Sequence, residues 1–208
     1  MKTAFRYLIA SQLSFFGLLA ICIYLAPQSL TNNRGLSYFG YSWPALVPFV
    51  GALLTGAYCL LQAATRLHGL PRPLPGVAKA LQIVALLTPF VLLTPSDDPG
   101  LVRNTHVMIS SAVFIVEFGL STALLISPAA DWLDGGVWLV QLVAGLSALL
   151  SFFDILHIML PSELVLQLTF SIMVDRTVPK IEHTVSISTT APAPIRPRSE
   201  TSTAPGKH

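Results

Sequence analysis

Charge is scarce in this sequence. Only 11% of its 208 residues are Asp, Glu, Lys or Arg, where a soluble domain carries about 25%. With 53% hydrophobic residues and a mean hydropathy of +0.68, that scarcity excludes an ordinary water-soluble fold. The formal net charge of +2 is too small and too scattered for a nucleic-acid footprint, so no nucleic-acid partner is expected. Cysteine is nearly absent. Cys22 and Cys59 sit in different apolar runs, reading as free thiols that act as small hydrophobes and not as a redox pair. No Gly-rich phosphate loop or GxSxG nucleophile elbow occurs, and no cofactor is expected.

Long apolar runs are what the chain has in abundance. They predict an all-α polytopic transmembrane bundle of six helices, at residues 5–25, 44–64, 76–94, 105–127, 136–157 and 162–174. The sixth run is short, with about 13 strongly apolar positions where a span usually needs about 20. Residues 175–208, rich in Ser, Thr, Pro and Ala, read as a disordered tail that cannot bury enough surface to fold. With both termini cytoplasmic, ten of the twelve Lys and Arg residues fall inside, leaving Arg34 and Arg103 outside. Tyr24, Tyr38, Tyr41 and Trp43 suit an interfacial aromatic belt. Pro48, Gly51, Thr55, Cys59 and Gln62 form a small or weakly polar stripe on the second span. Pro89 should kink the third.

Glu117 stands near the middle of the fourth run, close to the bilayer midplane at a rise of about 1.5 Å per residue. A charge there costs from about 3 to more than 10 kcal/mol, so the acid must be neutral or face polar partners. His106, Ser110, Glu117 and Ser121 share one helical face. Thr55, Thr88 and Ser147 are expected at the same depth on neighbouring spans. No Lys or Arg is, which favours the neutral acid, able to donate a hydrogen bond. Glu117 then either fastens two helices together or serves a proton or cation pathway.

A second constellation is expected at the outer mouth: His106, Asp154, His157 and Glu163. Asp154 and His157, three apart, would be neighbours on one helix surface. Converging imidazoles and carboxylates would suit a zinc-like ion or a pH-sensing cluster, and two imidazoles could face a haem. The plainer reading is interfacial polarity, with Ser162 and Glu163 capping the sixth helix.

Residues 32–66, NNRGLSYFGYSWPALVPFVGALLTGAYCLLQAATR, resemble the first loop and second span of the DRAM/FRAG/Sfk family of six-span membrane proteins. Leu36, Ser37 and Gly40 match that family's I/L-S-x-x-G element, and His106 inside the fourth span is similar. Tyr38 stands where the family often has an acid. The resemblance implies a non-enzymatic modulator of membrane trafficking or lipid organisation, in a bacterial plasma membrane or a lysosome-like one. Its partners would be membrane lipids or other membrane subunits. The alternatives are a small proton- or cation-coupled transporter using Glu117 and the outer cluster, and an intramembrane enzyme.

Overall fold

The computed structural model of the chain describes residues 2–30, 34–70, 73–94 and 100–190. Arg72, the acidic turn at 95–99 and the expected tail beyond residue 190 lie outside them. Six helices follow one another: α1 (Lys2–Leu25), α2 (Trp43–Leu67), α3 (Leu74–Leu93), α4 (Leu101–Ile126), α5 (Trp132–Phe152) and α6 (Met159–Thr190). Two 3₁₀ helices, Pro27–Leu30 and Gly35–Gly40, join α1 to α2. No strand occurs among the described residues.

Helices α1 to α5 are each long and apolar enough to cross a membrane. Their outward faces are greasy, with Leu13 and Ile115 each 71% exposed. Such a surface is unfavourable in water and carries no penalty against acyl chains. Tyr24, Trp43 and Trp132 are exposed at helix ends, as headgroup-level rings should be. Tyr38 and Tyr41 are instead half-buried, and Tyr41 lines an internal cavity.

The closest helix pair is α1 with α2. Its small-residue seam lies on a different face from the expected one. Ala45, Ala52, Gly56 and Ala63 are buried, and the Ser11 hydroxyl donates to the Gly56 carbonyl at 3.0 Å. Thr55 is exposed and bonds its own helix at the Gly51 carbonyl. α3 continues through Pro89 to Leu93. Buried apolar side chains form two clusters: one around Leu8, Leu67, Leu81 and Met173, the other around Leu19, Phe39, Phe49 and Leu160.

Helix α6 departs most from expectation. It does not stop at residue 174 but runs for 32 residues to Thr190. Two features hold Asp175 and the residues after it in helix. Val178 and Ile181 are buried in the first cluster. Arg176 and Lys180 grip both acids at the start of α5, Arg176 Nε lying 2.8 Å from Asp134 Oδ1 and Lys180 Nζ 2.8 Å from Asp131 Oδ2. Asp131 and Asp134 also form a reciprocal capping box, which starts α5 at Trp132 and not at Gly136. Lys180, by its hydrogen bond to the Asp131 carboxylate, holds that acid well below the usual carboxylate range.

Helix α5 ends at Phe152, short of the expected residue 157. Asp154 follows in left-handed backbone, φ 57°, and the Ile155 N–H returns to the Leu150 carbonyl at 3.0 Å. A left-handed residue with a return bond of this kind ends helices commonly, and Asp tolerates it better than most side chains. Gln141, in mid-α5, is fully buried, and neither of its amide atoms has a partner among the described residues. Gln141→Leu is therefore expected to raise stability by about 1–2 kcal/mol, since an unmade buried hydrogen bond is removed. A lower melting temperature for the variant would mean that the amide holds a partner in the membrane.

Candidate functional site

A cavity of about 250 Å³ runs between α1, α2, α3, α4 and α6. Most of its wall is apolar, including Phe15, Phe49, Phe114 and Phe170. The polar part is spread over α1, α3, α4, α6 and the connection between α1 and α2. Glu163, Gln167, Ser171 and Asp175 recur every fourth residue, so they share one face over about 18 Å. The first three line the cavity.

Glu117 lies on the opposing wall, only 2% exposed. Its Oε2 accepts a hydrogen bond from Gln167 Nε2 at 2.8 Å. This is the deep polar contact the fourth helix demands, and its partner is an amide on α6, not a hydroxyl on α2 or α5. Ser110 and Thr88 line the cavity as expected. Thr55 faces outward, Ser147 is half-buried away from the cavity, and Ser121 is buried outside it with no partner for its hydroxyl among the described residues. The inward polar side chains away from the cover therefore include Ser110, Thr88 and Glu117 with Ser11, Gln12, Gln167 and Ser171. Gln12 of α1 lies beside the Asp175 carboxylate. Its Nε2 also lies 3.4 Å from the Ser171 carbonyl.

One end of the cavity is covered by the Gly35–Gly40 3₁₀ helix, whose Leu36, Ser37 and Gly40 line it. Two buried side chains hold this cover. Glu163 Oε2 accepts from the Leu36 N–H at 2.6 Å, so the acid fastens a loop and does not cap its own helix. His106 bonds the Ser37 hydroxyl at 2.9 Å through Nε2 and the Thr94 carbonyl through Nδ1. A carbonyl can only accept, so in the neutral ring Nδ1 carries the proton and Ser37 donates to Nε2. Gly35 has φ +62°, and a Cβ there would overlap the Glu163 carboxylate. Any other residue here would strain the backbone and push the Glu163 carboxylate away from the Leu36 N–H.

Of the expected outer cluster, His106 and Glu163 come to the cavity mouth, gripping adjacent residues of the cover. Asp154 and His157 do not join them. Both are exposed in the α5–α6 loop because α5 ends early. No three His, Cys, Asp or Glu side chains are placed to hold a metal among the described residues, so the zinc-like arrangement is not assembled. Ser37→Ala should cost about 1 kcal/mol, by leaving the His106 acceptor unpaired in a half-buried site. Chemical denaturation in detergent would measure it, and an unchanged midpoint would show that Ser37 does not hold the cover.

Sequence reasoning missed Gln167, Gln12, Ser171 and Asp175. The signal was there, as polar residues four apart through the last apolar run. Compared with known protein families, characterised proteins and solved structures, the chain matches none.

Proposed function

We propose that this is a non-enzymatic, six-span integral membrane protein that binds an amphipathic, lipid-type molecule in its central cavity and thereby modulates membrane or lipid organisation. In this arrangement α6 is the sixth span, and both ends of the chain lie on the cytoplasmic side, with Arg66, Arg176 and Lys180. The observation that carries the reading is the cavity's division between a mostly apolar wall and a few polar side chains, among them the hydrogen-bonded pair Glu117 and Gln167. An amphipath matches that division, its chain against Phe15, Phe49 and Phe170 and its polar group on Glu117 and Gln167. The cover held by His106 and Glu163 closes the outer end, so the remaining approaches are from within the bilayer or from the inner side.

Ala57, buried and lining the cavity, supplies the test. Wild-type protein purified in mild detergent should retain a bound amphipath detectable by mass spectrometry after extraction. Ala57→Leu should fold and lose most of it, because the added methyl groups occupy the same space. Equal retention by both proteins would sink the reading. A second reading is favoured by the α6 line of Glu163, Gln167, Ser171 and Asp175, which could relay protons or cations past Glu117. It requires a flux in proteoliposomes that Glu117→Gln abolishes; no flux from the wild type would end it.

A further inference from the structure

We infer that the cavity selects a lipophilic amine, with Glu117 as the group that meets its nitrogen. This rests on the cavity-binding reading above and adds the chemical class of the ligand.

The ionisable side chains that line the cavity are Tyr41 and His106 near its cover, Glu163 beneath the cover, and Glu117 deep on α4. α1, α2 and α3 contribute none, and α6 adds Asp175 just beyond the lining. Among the described residues, no Lys or Arg lines the cavity. An anionic headgroup would face two carboxyls and no cation, so acidic lipids are disfavoured. A neutral alcohol could make a single hydrogen bond to the Glu117 carboxyl. An amine does more.

Gln167 donates to Oε2 of Glu117, leaving Oε1 as the oxygen to hold the acid proton or meet a ligand. A neutral amine entering from the bilayer takes that proton. The O–H bond breaks, an N–H bond forms, and a carboxylate–ammonium pair results with no net charge added to the membrane interior. The pair supplies a counter-cation that none of the described lining residues provides, with charge-assisted hydrogen bonds stronger than neutral ones. Phe114 lies three residues before Glu117 and Phe170 three after Gln167, so each ring stands one turn from the polar contact on its own helix.

Octylamine, octanol and octanoate, with the same chain and three headgroups, separate the possibilities. Binding is read on the wild-type protein in non-ionic detergent by thermal shift and by protection of Glu117 from dicyclohexylcarbodiimide, scored by peptide mass spectrometry. Octylamine should bind at least about tenfold tighter than octanol and protect Glu117, while octanoate does neither. In Glu117→Gln the amine preference should vanish while octanol binding persists. The protection assay needs only the wild type, so it decides the matter even where the variant does not fold. Octanol equal to octylamine overturns the amine assignment and leaves the cavity reading standing. Failure of all three to bind overturns both.

Discussion

Replacing Arg176 and Lys180 together by glutamine should lower the melting temperature by about 5–10 °C and release the C-terminal part of α6 to proteolysis. The cause is what the double substitution leaves behind. Asp134 has a wholly buried side chain, and its two oxygens meet Arg176 Nε at 2.8 Å and Lys180 Nζ at 2.9 Å. Removing one partner of a buried ion pair costs more than the pair contributed, because the remaining charge stays desolvated. Single substitutions should be milder, since each cation covers for the other at Asp134. Thermal unfolding of the three variants checks this, and additive small shifts would count against a shared network. The same network fixes a pH window. Asp131 is held below its ordinary value by the hydrogen bond from Lys180, and Lys180 is raised by its bond to Asp131. The acid's contribution is therefore present above about pH 4 and lost as pH falls through its depressed value. The lysine's contribution is present below about pH 10.5 and lost as pH rises through its raised value. Wild-type protein should thus be more sensitive than the double variant to both extremes.

Gly35→Val should be the most damaging single substitution in the cover, destabilising by about 3 kcal/mol. A β-branched residue at φ +62° pays left-handed strain, and its Cβ meets the Glu163 carboxylate. The two penalties can be separated. In a Glu163→Ala background the steric share disappears and the backbone share remains, so the double variant should lose less than the sum of the singles. Strict additivity would show that Glu163 does not press on this turn. The cover would also be displaced in Gly35→Val, so limited proteolysis between α1 and α2 should accelerate.

That His106, Ser110 and Glu117 share a side could be read from residue spacing, because a helix fixes which of its own residues face together. Which neighbour that side meets was not legible. Thr55 and Thr88 are alike in sequence, yet one faces outward and the other lines the cavity. His106 and Glu163 stood out as mouth residues, but the loop atoms they hold lie 69 and 127 positions away in the chain. Asp154 and His157 misled because a continuous apolar run hid the left-handed turn that ends α5. The early end drawn for the last helix had a similar origin. Polarity after residue 174 looks like a tail until its two cations are seen on the acids of α5.

Composition and run length alone determined that this chain is a set of membrane-length helices with an acid buried among them, since unpaired backbone and charge are too unfavourable in lipid to be placed otherwise. Only the tertiary structure decided that Glu117 meets Gln167, that a 3₁₀ helix beginning at Gly35 covers one end of the cavity, and that α6 continues to Thr190. Each of these depends on how helices rotate against one another, and periodicity within a single helix carries no information about that rotation.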